Sequence, residues 1–370
     1  METEINNVPQ AARAKGQGVQ RIPSLDGLRA VSIVLVLYGH TAGTLGFPIA
    51  IDHFGLALAG VRTFFIISGF LITKLLLKEI ASKGTISLGG FYRRRVLRIF
   101  PAFYTYWLIT VALVMAGLLV VPARNLVYAA TYTINYVIDR GWPVGHLWSL
   151  AVEEQFYALW PLTLFLLRPK RAFSLAAAAL LLVPVVRVAQ FFLWPSHRLG
   201  ITEEFHTIAD CIATGCLLAG CQDWLWQRES YRRFLTSWMF WLAPCAIVLT
   251  IIFGHHPMVR WLILIPIFNL GIALCIDRWT RFPDADAFAV FLNWKPVAFV
   301  GVLSYSLYLW QQPFLDRYAS RIWNRFPINI ALAFVVASAS YYFIEKPFLG
   351  LRYRSRQPFQ AAPALPEESI

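Results

Sequence analysis

Between residues 27 and 345, apolar stretches of about 20 residues follow one another almost without a break, and this succession constrains the fold more than any motif. A stretch of that length spans a bilayer as an α-helix, which satisfies every backbone polar group within the segment. Ten candidate spans can be read, at roughly 27–46, 54–77, 101–121, 146–167, 172–194, 205–221, 236–254, 259–276, 295–315 and 328–345. Composition agrees: hydrophobic residues make up 58% of the 370 and charged residues 14%, too little polar surface for a water-facing domain. The expectation is an all-α fold, a polytopic transmembrane helix bundle of about ten spans in the cell (plasma or inner) membrane.

The net charge of +13 does not point to nucleic acid, because the basic residues are sorted by side. With the N-terminus inside, about 24 of the 33 basic residues fall on inside segments. Seven fall outside (Arg124, Arg140, Arg198, Arg260, Arg317, Arg321 and Arg325), and two, Arg62 and Arg187, lie within spans. Such asymmetry sets topology and predicts that both termini face the cytosol. Cys211, Cys216, Cys221, Cys245 and Cys275 show no CxxC pair and no His at ligand spacing, so neither a disulfide framework nor a metal site is expected. Residues 1–20 read as a flexible cytosolic tail, 21–352 as the membrane domain and 353–370 as a Pro/Ala-rich disordered tail. No signal peptide is read at the N-terminus. The segment 122–145 is expected to be the longest outside stretch, re-entrant or along the interface.

Polar groups are expensive within a bilayer, so the intramembrane ionisable residues are the first candidates for chemistry. On the first span Arg29 and His40 are eleven residues apart, within roughly 20° of one helical face and separated by about 16 Å of rise. Asp26 lies just before Arg29. In the second span Ser68-Gly69 is expected to serve close helix packing. Ahead of the third, four arginines in the run 93–98 include Arg95 and Arg98, i,i+3 neighbours whose planar donor forks suit phosphate. On the fourth, His146, Ser149 and Glu153 share a face, and Glu154 adds a second carboxylate.

Six segments, RIPSLDGLRAVSIVLVLYGH, FFIISGFLIT, FYRRRVLRIFPAFY, GHLWSLAVEEQFYALWP, YSLYLWQQPF and FIEKPFLGLR, occur in that order over about residues 21–352. Together they resemble the successive signatures of the acyltransferase-3 family of integral membrane O-acyltransferases. The resemblance implies transfer of an acyl group, usually acetyl from acetyl-CoA, to a hydroxyl of a carbohydrate or related small molecule. It implies that the family's Arg-x10-His stripe falls on Arg29 and His40, and its RxxR pair on Arg95 and Arg98. There are two departures. Gln311 stands where the family usually has His. The secreted hydrolase-like domain that some relatives carry is also not seen after the bundle, so the chain is expected to work alone or with a partner.

The mechanism this implies docks acyl-CoA, a co-substrate rather than a bound cofactor, from the cytosol with its phosphates on Arg95, Arg98 and Arg29. The pantetheine arm then runs along the stripe to His40, the general base on the acceptor hydroxyl. Glu153 either orients that imidazole or helps bind the acceptor, and Asp26, His146, Ser149, Glu154 and Gln311 form the surrounding shell. A covalent acyl-His intermediate is left open. The expected partners are the acyl donor, a carbohydrate or small-molecule acceptor and membrane lipid, with no nucleic acid. A transporter or flippase of a sugar or lipid precursor would account for the spans and buried charges equally well, but it gives no reason for the stripe and the Arg pair together.

Overall fold

The computed structural model describes residues 22–52, 55–254 and 256–354. The expectations for residues 1–20 and 355–370 lie outside the described residues. The chain forms α1 (Pro23–Thr41), α2 (Leu56–Lys83), α3 (Leu88–Met115), α4 (Ala123–Ala130), α5 (Trp142–Gly145) and α6 (Leu147–Leu193). It continues with α7 (Phe205–Gln227), α8 (Glu229–Thr236), α9 (Leu242–Ile252), α10 (Pro257–Val259), α11 (Ile265–Arg281), α12 (Ala287–Asn293), α13 (Lys295–Trp310), α14 (Ile328–Ser340) and α15 (Lys346–Arg354). No strand occurs among the described residues, as the all-α expectation requires. Helix α15 carries regular structure through 353 and 354, which the sequence reading places in the tail.

Five helices among the described residues are long and apolar enough to cross a membrane, or seven if the bent pairs α8/α9 and α12/α13 each count as one span. Ten spans are not reached on that measure, for two reasons. Trp142–Leu193 counts once although it covers two expected spans, and its backbone breaks at Arg168 (φ 62°, ψ 160°). Pro169 accounts for the break, since it disfavours the helical conformation at the residue before it and removes a donor from the ladder. The expected spans on α1 and α7 fall short because these helices are interior. They carry Asp26, Arg29 and His40, and Asp210 and Gln222, toward other helices rather than toward lipid.

Small residues let the interior helices approach one another. Where α2 crosses α7, a Cβ on Gly69 would run into the Ile212 carbonyl, and one on Gly215 into the Ile66 carbonyl. The packing role expected for Gly69 is therefore seen. Gly301 of α13 lies against the backbone of Asp26, drawing the start of α1 onto α13. The 122–145 segment folds back on α3 and α6: Tyr104 Oη donates to the Ala130 carbonyl (3.0 Å), Trp107 Nε1 to that of Leu126 (2.9 Å) and Gln155 Nε2 to that of Tyr132 (2.8 Å).

Candidate active site

Helices α1, α2, α3, α6 and α13 surround a cavity of about 690 Å³. The first turns of α1 bring Asp26 and Arg29 to it, the N-terminal half of α3 brings Arg95 and Arg98, and α6 brings Ser149, Glu153 and Glu154. Seven of the ten residues singled out from the sequence thus share one wall system. Arg29 and Arg98 make no salt bridge and no side-chain hydrogen bond among the described residues, although Glu153 lies within electrostatic reach of both. Their guanidinium groups are presented to the open space. Arg95 instead lies over the rings of Tyr157 (4.7 Å) and Phe91 (5.5 Å), a cation–π arrangement that fixes its direction.

The carboxylates are held by hydroxyls. Glu153 Oε1 accepts from Ser68 Oγ at 2.5 Å, and Tyr157 Oη donates to the same Ser68 oxygen at 3.2 Å. Glu345, also on the cavity wall, accepts from Ser306 Oγ. Ser68, Tyr308 and Glu345 were not picked out as site residues in the sequence. Each lay within a quoted signature, and a lone hydroxyl or a Glu near a span end carries no spacing signal of its own.

The other three candidates, His40, His146 and Gln311, do not line this cavity. They form a tighter cluster one to two turns beyond it, behind a wall made by Ser149 and Tyr308. Tyr308 Oη donates to the His146 carbonyl at 2.9 Å and lies 2.5 Å from Ser149 Oγ. His40 Nδ1 meets Gln311 Oε1 at 2.9 Å. With an amide oxygen on that side, Nδ1 carries the ring proton and Nε2 keeps its lone pair. Gln311 is thus the side chain bonded to the His40 imidazole, whereas Glu153 is bonded to Ser68 on the cavity side. Glu153 belongs to the arginine end.

Trp142 packs edge-on against His40 at 6.1 Å and donates Nε1–H to the Gln312 carbonyl (2.9 Å). Arg317 bonds the Gly39 carbonyl (3.2 Å) and covers the other part of that indole. His146 Nε2 donates to the Leu309 carbonyl at 3.2 Å, which leaves Nδ1 as an acceptor. Several buried polar atoms in this region have no partner among the described residues: His146 Nδ1, Gln311 Nε2, Trp310 Nε1 and Asp52 Oδ1. Unmade hydrogen bonds of this kind are costly unless water or a ligand completes them. Among the described residues, no three of His, Cys, Asp and Glu gather as metal ligands.

Comparison with known proteins places this architecture. The family model of the acyltransferase domain of the acyltransferase-3 type matches residues 22–344. O-acetyltransferase OatA of Staphylococcus aureus (strain NCTC 8325 / PS 47) is 29% identical over 364 residues, covering 88% of this chain and 57% of its own length. YrhL of Bacillus subtilis (strain 168), provisionally named a peptidoglycan O-acetyltransferase, is 26% identical, covering 93% of this chain and 58% of its own length. The chain thus spans less than two thirds of the curated relatives it matches. No solved structure matches it.

Proposed function

This chain belongs to the acyltransferase-3 family, and from that premise we propose that it is a membrane O-acyltransferase. It moves an acyl group, acetyl before longer ones, from acyl-CoA to a hydroxyl of a carbohydrate or related acceptor. Ten spans with both termini in the cytosol put the arginine end of the cavity on the cytosolic side of the cell membrane. The name of the Bacillus subtilis relative, provisionally a peptidoglycan O-acetyltransferase, favours a cell-envelope glycan as acceptor.

The observation that carries the reading is a pair of cations, Arg29 and Arg98, without a salt bridge among the described residues, on a cavity of about 690 Å³ whose far wall backs onto the His40 cluster. Guanidinium forks at the entrance suit the phosphates of coenzyme A, and Arg95, held over Tyr157, adds a third. The pantetheine arm then follows α1, along which Arg29 and His40 are about 16 Å apart. His40 Nε2 takes the proton of the acceptor hydroxyl as that oxygen attacks the thioester carbonyl. The C–S bond breaks, and coenzyme A leaves as a thiolate that recovers the proton from the imidazolium. Glu153, on the donor side, offsets the mutual repulsion of the nearby cations Arg29, Arg95 and Arg98 and holds them in register with the arm.

The test is release of free coenzyme A from acetyl-CoA by purified protein in lipid, dependent on a glycan acceptor. A transporter would leave the thioester intact, and such a result would overturn the proposal. Topology is tested separately: cysteines introduced at Gln10 and Gln360 should react with an impermeant reagent only from the cytosolic face, and labelling of either from outside would refute the ten-span arrangement.

A further inference from the structure

A second, smaller cavity of about 60 Å³ lies on the opposite face of α2, at the helix's N-terminal end. Val61 and Phe65 of α2 face the large cavity, whereas Leu58, Ala59 and Arg62 face the small one, together with Arg260, Thr250 and Phe268. The two arginines are its distinguishing feature. Arg62 is only 4% exposed, and its Nη2 has no hydrogen-bond partner among the described residues. Its Nη1 reaches Cys211 Sγ at 3.3 Å, a poor acceptor for a guanidinium. The Arg260 guanidinium hangs over Gly55, the N-cap of α2 with left-handed geometry (φ 65°), so close that a Cβ there would lie 3.3 Å from Nη2.

The described residues around the cleft do not neutralise these charges. The neighbouring carboxylate, Asp210, is already bound by Arg187 and by Asn269 Nδ2 (3.2 Å). The charged neighbour acting on Arg260 is Arg62 itself, a like charge. Arg62, Arg187 and Arg260 against Asp210 leave two cations in excess. A buried guanidinium without a counter-charge is strongly unfavourable, more so within a bundle that lipid surrounds. Asp52 already caps the N-terminus of α2, its Oδ2 accepting from the Ala57 N–H at 3.0 Å, so the excess positive charge at the cleft rests on the two guanidinium groups.

We propose that the cleft between the start of α2 and the α9–α11 region is a binding site for a phosphate oxyanion, clamped by Arg62 and Arg260 over Gly55. A space of 60 Å³ admits about four to six water-sized groups, which matches the phosphorus and four oxygens of a phosphate group. Two arginine forks at one point are the usual means of gripping such an anion. The group can be the headgroup phosphate of an anionic lipid or a free or acceptor-borne phosphate, and the chemistry of the grip is the same. The site is separate from the acyl-transfer cavity and stands whether or not that reading holds.

Binding is measured on the full chain without acyl-CoA, so its outcome is independent of the transferase assay. Delipidated protein in neutral detergent is heated with inorganic phosphate or with sodium chloride at equal ionic strength. In parallel it is heated in nanodiscs of phosphatidylcholine or phosphatidylglycerol. The anion should raise the melting temperature by about 3 °C or more at saturation. Arg62→Met and Arg260→Gln should each abolish that rise, and Arg62→Met should melt above wild type when no anion is present, because it deletes an uncompensated charge. Arg260 lies at the rim, so its variant carries the test even where Arg62→Met fails to accumulate. A rise with inorganic phosphate identifies a free phosphate; a rise with phosphatidylglycerol alone identifies a lipid headgroup. No anion-dependent rise in wild type, or a rise that persists in Arg260→Gln, overturns the proposal.

Discussion

The arginine end and the imidazole end of α1 are built on opposite principles. At the arginine end, Arg29 and Arg98 line a cavity of about 690 Å³ with no salt bridge among the described residues, and Glu153 beside them is held by one hydroxyl. At the imidazole end, His40 is locked to Gln311, Gln311 is fully buried, and an indole that the Arg317 guanidinium covers packs edge-on against the ring. A roomy site lined with separated charges suits a large, strongly hydrated anionic group that arrives and departs. A packed site with a fixed ring orientation suits a reacting group whose geometry must hold to a fraction of an ångström. The difference predicts that the same kind of substitution has unlike consequences at the two ends.

The largest effect is expected at the packed end. His40→Ala should reduce turnover by about 10²- to 10⁴-fold, the range for a lost general base, with the melting temperature in detergent close to wild type. A well-folded variant with near-normal turnover would move the base elsewhere, and His146, with its unpartnered Nδ1, is the next candidate. Next comes Gln311→Leu, which removes the acceptor that keeps the proton on Nδ1. Turnover should fall by about 10- to 100-fold with little change in KM for acyl-CoA, as expected when ring orientation alone is lost. Gln311→His, which puts back the side chain usual in the family, should recover most of that loss. Failure of the His variant to exceed the Leu variant would show that the residue fills space only.

At the roomy end, Arg95→Lys with Arg98→Lys should raise the KM for acyl-CoA by about 10-fold and leave kcat within a few-fold, since an ammonium keeps the charge and loses the bidentate fork. Unchanged donor kinetics in the folded double variant would remove the pair from the phosphate site and erase the functional half of the comparison.

The two ends also differ in how far the sequence discloses them. Stripes on single helices were legible: Arg29 and His40 on one, His146, Ser149 and Glu153 on another, Arg95 and Arg98 on a third, because helical periodicity fixes which side chains share a face. The break between two spans was legible as the gap between 146–167 and 172–194, and the structure places it at Arg168. Contacts between helices were not. The His40–Gln311 bond joins residues 271 apart in the chain, and the Ser68–Glu153 bond residues 85 apart. Periodicity also cannot tell an interior helix from a lipid-facing one. The apolar window of Leu56–Lys83 is 72% buried and that of Leu88–Met115 only 28%, though both read as spans. Arg62 illustrates the same limit: its place within a span was visible, and the lack of a counter-charge around it was not.

The smallest expected effect is also the sharpest control on the comparison. Ser68→Ala deletes the hydroxyl that donates to Glu153 at 2.5 Å, just as Gln311→Leu deletes the acceptor on His40 at 2.9 Å. Both bonds join side chains from segments distant in the chain. Their surroundings differ. Glu153 faces a cavity large enough to admit water, which can replace the lost hydroxyl at small cost, and the carboxylate also keeps the field of Arg29, Arg95 and Arg98. Gln311 is fully buried, so the atoms left behind by its removal have nothing to turn to. Ser68→Ala should therefore change kcat and the KM for acyl-CoA by only about two- to threefold, the size of a hydrogen bond replaced by water. Steady-state kinetics of the two variants side by side, with thermal shifts to confirm folding, measure the ratio directly. A Ser68→Ala variant as impaired as Gln311→Leu would mean that the arginine end is as rigidly organised as the imidazole end, and that Glu153 takes part in the chemical step rather than in holding the donor.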